Sequence, residues 1–139
     1  VAMKYRPPSL VPARTNEQFV AEGDAGVASA HPLATQAGID CLKASDNAFD
    51  ALIAIAITLV VVEPMMSGIL EVDLAMLYSK KEGCSVCNFS GRVPQKFTAQ
   101  EWSENKSDAL SIVSPQALAG WIAIHDKYAT LPFNALISD

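Results

Sequence analysis

The sequence predicts an α/β domain of the α+β kind, and three observations carry that prediction. The apolar run from Ala51 to Val62 is interrupted only by Thr58. It is too short for a bilayer and too long for an average strand, so it reads as a buried helix. Two β-compatible runs, Asp73 to Ser79 and Cys84 to Phe89, flank a turn at Lys80–Gly83 and read as a hairpin. Half of the 139 residues are apolar and 18% are charged, the balance of a globular chain with a real core. Aromatics are only 7%, so small aliphatics, Ala above all, must fill that core. Such a core needs close approach between elements to pack at normal density.

Each element follows in order. Residues 1–25 are proline-rich and mixed in charge, and read as an extended N-terminal arm; the folded part runs over 26–139. Gly26 to Ala30 is short, apolar and β-compatible. His31-Pro32 opens a helix, because proline is tolerated in a first turn, and Ser29 or His31 can cap it. Leu33, Ala37 and Cys41 share one face, with Gly38 and Leu42 beside them, and the helix stops near Ala44. Ser45-Asp46-Asn47 is a turn of capping residues. The next helix spans Ala48 to Val62. It is apolar nearly all round, so burial on most sides, between a sheet and other helices, is expected. Glu63-Pro64 ends it, since the residue before proline disfavours α geometry. Met65 to Val72 is a loop. In the first strand Leu74, Met76 and Tyr78 share one side.

Ser90 to Pro94 is irregular, and residues 95–109 are polar and partly helical. Leu110 to Val113 reads as a short strand. Ser114-Pro115 starts another helix, with Leu118, Trp121, Ile122 and His125 along one stripe and Tyr128 at its end. Thr130-Leu131-Pro132 signals one more helix start. No internal repeat and no dividing linker is visible.

Several function classes are disfavoured. Ten basic residues stand against fifteen acidic ones, a net charge of -5, so a nucleic-acid partner is not expected. No Walker loop or GxGxxG occurs, and no cofactor is predicted. No segment is long enough to span a membrane, and the N-terminus lacks the apolar region of a secretory signal. Cys41, Cys84 and Cys87 are an odd set without secretory context, so reduced thiols and a cytoplasmic location are the default. Cys84 and Cys87 have CxxC spacing. A zinc site would need two more ligands, and a redox site would need a helix start, whereas this pair sits in a strand. No metal site is predicted. His31 and His125 are the only imidazoles, and neither neighbours a matched nucleophile and carboxylate. Asp40, Asp46, Asp50, Glu63, Glu71 and Asp73 read as caps and turn residues. Asp50 stands out because it enters an apolar helix. A buried carboxylate must be hydrogen-bonded, so backbone amides or the preceding loop are its expected partners.

Five collinear stretches are similar to one family. They are His31 to Gly38, Asn47 to Ala51, Val60 to Ile69, Asn88 to Pro94, and Ser114 to Pro132 with Ala119-Gly120-Trp121, His125, Tyr128 and Thr130-Leu131-Pro132. Together they resemble the N-terminal part of the large subunit of gamma-glutamyltranspeptidases (glutathione hydrolases), closest in pattern to the acylase-like subgroup. The resemblance implies part of an Ntn-hydrolase αββα sandwich. It also implies a precursor that cleaves itself, and a new N-terminal Thr on the small subunit that attacks the γ-glutamyl carbonyl with its own amine as base. No threonine here (Thr15, Thr35, Thr58, Thr98, Thr130) matches that nucleophile, so no catalytic residue is predicted in this chain. The implied partners are the rest of the large subunit, the small subunit, and a small γ-glutamyl or amide substrate. The family's carboxylate-gripping Arg falls on Ser90, and Arg92 lies two places on. Ser90 and Arg92 are therefore the candidate substrate contacts; a structural salt bridge or carbonyl contact is the alternative for Arg92.

The sequence also departs from the family. Paired glycines become Ser45-Asp46, and a glycine-rich turn becomes Gly68-Ile69-Leu70-Glu71-Val72. Those losses suggest relaxed constraint, so a non-catalytic remnant serving as a binding or scaffold domain is the second reading.

Overall fold

The computed structural model describes residues 23–95, 98, 100 and 113–137. Its elements are α1 (Pro32–Ser45), α2 (Ala48–Val62), β1 (Asp73–Ser79), β2 (Gly83–Phe89), α3 (Ala117–Tyr128) and a 3-10 turn, Phe133–Leu136. The two strands form an antiparallel sheet, so the class is α+β. Most of the arm expected over 1–25, the stretch over 95–109 and the strand expected from Leu110 lie outside the described residues. Gly26 to Ala30 pairs with no strand among the described residues.

α1 begins as its residues dictate. Pro32 occupies the first turn, and His31 Nδ1 accepts the Leu33 N–H at 3.2 Å. Ser29 is used as well: its hydroxyl donates to the His31 carbonyl at 2.9 Å and pairs with the Thr35 hydroxyl at 2.7 Å. The helix ends at Asp46, whose φ of 52° is left-handed and whose N–H closes on the Leu42 carbonyl at 2.8 Å. Its buried face is Ala34, Gly38 and Cys41; Leu33, expected there, is exposed. A Cβ at Gly38 would sit 2.6 Å from Ile55 Cδ1. The bare glycine thus permits the close α1–α2 approach that an alanine-rich core requires.

α2 has the predicted bounds, with the Asn47 Oδ1 accepting from Phe49 N at 2.8 Å. Its expected burial is realised only in the first half, at Asp50, Ala51, Ile53 and Ala54. Val61 is exposed, because no described element covers that side of the last turn.

The hairpin register runs from Asp73 opposite Phe89 to Ser79 opposite Gly83. Gly83 takes φ 75° at the turn, and Ser79 Oγ accepts from Glu82 N at 3.1 Å. Alternation puts Leu77 and Phe89 inward among the buried residues. Leu74, Met76 and Tyr78 do share a face, but it is the outer one. Met76 is 74% and Tyr78 69% exposed, with Val86 exposed beside them.

α3 starts two residues beyond Pro115. Gln116 and Ala117 both donate their N–H groups to the Glu71 carbonyl, at 3.1 and 2.9 Å, so the loop before β1 caps this helix and no side chain does. Its buried stripe is Ala117, Gly120, Trp121 and Ile124. The predicted stripe is right at Trp121 and wrong at Leu118 and Ile122, which are exposed. The cause is Gly120, where a Cβ would run into the Phe89 ring. A side-chain-free face turns toward the hairpin, and Ile124 follows it. The last expected helix is a single 3-10 turn whose Leu136 is buried near α2. The core joins Cys41, Ile53, Leu77, Phe89, Trp121, Ile124 and Leu136. Among the described residues no helix is long and apolar enough to cross a membrane.

Candidate functional site

Three irregular segments converge at one end of the hairpin: the loop after α2, the Ser90–Pro94 segment and residues 113–116. Gly91 has φ 80°, and a Cβ there would lie 2.6 Å from the Ser114 carbonyl oxygen and 2.7 Å from Val72 Cγ1. Ser114 N donates to the Arg92 carbonyl at 2.9 Å, and Ser90 N donates to Asn88 Oδ1 at 3.0 Å. The backbone of this segment is therefore fixed from both sides. A small cavity of about 70 Å³ lies at the same end, between Leu59, Ser67, Gly68, Glu71, Asp73 and Trp121.

Ser90 and Arg92, the two residues singled out for substrate contact, thus share one short, tethered loop, and both are exposed. The ion pairs among the described residues are Lys43–Asp40, Lys127–Glu82 and the His125–Asp126 contact. Arg92 takes part in none, so the salt-bridge alternative for it finds no partner among them. A guanidinium without an ion-pair partner among the described residues, on a fixed base, is suited to bidentate recognition of a carboxylate.

A second constellation was only half legible. Asp50 is the one buried charged side chain among the described residues, with 0% exposure. It accepts from Thr130 N at 3.0 Å, from Thr130 Oγ1 at 2.5 Å and from Leu131 N at 3.3 Å. Burial pushes its carboxyl up, but the Thr130 hydroxyl, the Thr130 and Leu131 amides and Ser45 outweigh it and hold the group below the ordinary value. Asn47 adds a bond from Nδ2 to the Tyr128 carbonyl at 2.9 Å. The Phe49 ring stacks on Tyr128 with centroids 4.5 Å apart. The Tyr128 hydroxyl donates to Glu82 Oε2 at 2.9 Å, and Lys127 reaches the same oxygen at 2.7 Å. His125 Nε2 lies 2.9 Å from the Leu131 carbonyl, and its ring meets Phe133 edge-on. Asn47 to Asp50 and His125 to Leu131, two stretches about eighty residues apart, form one clasp. Backbone amides or the preceding loop were expected for Asp50, and both contribute: Ser45 comes from the preceding turn, and the amides come from Thr130 and Leu131, far along the chain. The available signal was Thr130-Leu131 ahead of Pro132, two amides with no helix or strand to bond.

The other candidates resolve locally. Cys84 and Cys87 are three apart on β2, so their side chains leave opposite faces, Cys84 outward and Cys87 inward. That placement suits neither a shared metal nor a dithiol. His31 caps α1. Asp40 bonds Gln36 and Lys43, which hold its carboxyl below the usual value.

The gamma-glutamyltranspeptidase family model matches residues 34–139. The chain belongs to this family. The glutathione hydrolase proenzyme of Bacillus subtilis (strain 168) is 35% identical over 126 residues, an overlap covering 83% of this chain and 22% of the relative. The Acylase ACY 1 proenzyme of Pseudomonas sp. (strain SE83) is 33% identical over 139 residues, covering 88% and 25%. The gamma-glutamyltranspeptidase of Helicobacter pylori superposes with a TM-score of 0.76 at 25% identity, covering 86% of this chain and 37% of that one. The chain thus spans about a fifth to a quarter of the length of these curated relatives. Its helices and hairpin are part of the Ntn-hydrolase sandwich of gamma-glutamyltranspeptidases and acylases. Both halves of the Asp50 clasp lie inside the matched region.

Proposed function

We propose that this chain is the N-terminal part of an enzyme that hydrolyses or transfers γ-glutamyl or related amides, and that it is inactive alone. It supplies framework and a substrate-facing loop; the attacking N-terminal threonine comes from the small subunit. Family membership supports the reaction class. The threonine hydroxyls support the division of labour: Thr35 pairs with Ser29, Thr58 donates to the Ala54 carbonyl and Thr130 donates to Asp50. Each sits in a structural bond, and none is a free N-terminal nucleophile with its own amine as base.

The observation that carries the proposal is the outer face of the hairpin. Leu74, Met76, Tyr78 and Val86 form an exposed apolar surface on a two-stranded sheet. Such a patch on a sheet marks a surface meant to be covered, and in an αββα sandwich the facing sheet covers it. The remainder of the large subunit and the small subunit are the partners this reading requires.

Within the site, the resemblance puts Ser90 at the position of the family's carboxylate-gripping arginine, and a serine hydroxyl cannot make that ion pair. Arg92 is the group that takes the role, with Ser90 as a neutral hydrogen-bonding neighbour. The three free thiols support a reducing, cytoplasmic setting. At Asp46 the backbone is left-handed, the conformation that suits a glycine.

Co-expression with the remainder of a Thr-led precursor of the family tests the proposal. Turnover of a γ-glutamyl anilide is expected from the assembled pair and from neither part alone. Arg92→Ala in that pair is expected to raise KM for a carboxylate-bearing donor about tenfold with kcat largely kept, the loss of one charge-assisted contact. Failure of the parts to associate, or full activity without this chain, overturns the reading.

A further inference from the structure

The segment that follows α3 is fastened in an unusual way. Ala129 and Pro132 are extended, and the only regular structure beyond them among the described residues is the 3-10 turn Phe133–Leu136. The N–H groups of Thr130 and Leu131 bond no backbone carbonyl; both go to the Asp50 carboxylate. A single buried side chain therefore does the work that a neighbouring strand would do. Beyond this fastening the segment bridges a void. A cavity of about 380 Å³ lies beneath it, between Cys41 on α1, Ala54 and Ile57 on α2, and Leu131, Leu136 and Ile137 of the segment itself.

The packing on either side of the clasp is unequal. The α1–α2 pair is closed at Gly38 against Ile55, and α3 is closed on the hairpin at Gly120 against Phe89. The segment has Leu136 as its one buried side chain, with Phe133 against the His125 ring. A polar fastening at one end over an unfilled cavity at the other, lined by aliphatic side chains with Asp40 and Thr58 among them, is the pattern of a unit that opens locally, before the rest of the domain. The titratable groups around the clasp and its cavity include Asp40 and the Cys41 thiol on α1, His125, Asp126, Lys127 and Tyr128 on α3, and Glu82 in the hairpin turn; the His125 ring bonds the Leu131 carbonyl. No cation among the described residues pairs with Asp50.

From this geometry we infer that residues 129–137 are a strap latched by Asp50, and that loosening the latch lifts the strap as a unit and uncovers the groove between α1 and α2. The thermodynamic logic is direct. Opening breaks the bonds to one carboxylate, re-solvates that carboxylate, and exposes Leu136 with the partly buried Leu131 and Phe133, while the α1–α2 and α3–hairpin contacts stay in place. Closing the strap needs its donors aligned on Asp50, so removal of the Thr130 hydroxyl, which also accepts from Asn47 Nδ2 at 3.4 Å, weakens the closed state while leaving α1 and the hairpin untouched.

Cys41 reports the motion, because it is buried under the strap while Cys84 and Cys87 lie on β2. In the full chain carrying Cys84→Ser and Cys87→Ser, Cys41 is the one thiol left, and its reaction with an aromatic disulfide reagent measures strap opening. Thr130→Val deletes a single donor and leaves the carboxylate charged; labelling is expected to accelerate about tenfold. Asp50→Asn replaces the charged acceptor and places an amide against its donors; an acceleration on the order of a hundredfold is expected. Amide exchange should quicken at Thr130, Leu131 and Leu136 and stay slow at Ala54 and Leu77. Unchanged Cys41 labelling in folded Thr130→Val overturns the inference. So does acceleration in which the α2 and β1 amides exchange in step, since that is global unfolding. If Asp50→Asn does not fold, Thr130→Val decides alone.

Discussion

Replacing Gly120 by Ala sets two well-known effects against each other inside α3. An alanine in a helix interior is favoured over glycine by about 1 kcal/mol. On an open helix face that gain would be kept. Gly120 is buried, however, and its Cβ would collide with the Cγ and Cδ carbons of Phe89, a residue only 4% exposed. Those atoms are the root of the ring, so rotating the far end does not clear them. The ring must leave its rotamer or α3 must retreat from the hairpin. Overpacking of that kind costs about 1–3 kcal/mol, at times more. We therefore expect Gly120→Ala to be destabilising by about 1–2 kcal/mol. Urea unfolding followed by circular dichroism measures it, with the slope checked for constancy. A Phe89→Leu partner variant completes a double-mutant cycle, and a clearly favourable coupling is expected because the smaller side chain makes room. Stabilisation by the full propensity gain would refute the reasoning, because it would mean that Phe89 does not lie on Gly120.

Three further outcomes are expected. Asp46→Gly should raise stability by about 0.5 kcal/mol in thermal melts, because it relieves a left-handed residue while adding chain entropy to the unfolded state. A lowered midpoint would show that the Asp46 side chain has a bonding role. Asp50 has a folded pKa below its unfolded one. Its stabilisation is thus fully present above the unfolded value of about 3.9 and is lost as pH falls through the folded value. Urea midpoints from pH 6 to 2.5 should fall more steeply for the parent chain than for Asp50→Asn; parallel curves count against the assignment. The isolated chain should self-associate through the outer face of the hairpin, and Met76→Lys with Tyr78→Lys should suppress this in light scattering. A parent chain that stays monomeric at high concentration argues that the face has no need of a cover.

What the sequence made legible followed local rules. α2 is bounded by Asn47 and by Glu63-Pro64, and a capping side chain and a proline act on their own neighbours. The hairpin was readable because Lys80–Gly83 breaks two β-compatible runs. The sidedness of β1 was readable too, but alternation cannot say which side meets solvent, and Leu74, Met76 and Tyr78 proved to face out. α3 was misread because its inward face is set by Gly120, where the decisive feature is a missing side chain that hydrophobic counting passes over. Its start was misplaced because the cap is the Glu71 carbonyl, supplied from more than forty residues upstream. Asp50 was recognised as needing partners, yet nothing local identifies Thr130 and Leu131. At the substrate loop, Ser90 and Arg92 came from resemblance alone. The structure adds the tethering by Gly91, Val72 and Ser114, which no spacing rule encodes.

In the proposed enzyme the nucleophile resides on the small subunit and not in this chain. Incubating the purified chain by itself with a γ-glutamyl anilide, while watching for self-cleavage on a gel, addresses this without an intermediary. No aniline release above buffer and a single uncut polypeptide are predicted. Release that scales with chain concentration, or a cleaved product that begins with threonine, would contradict it.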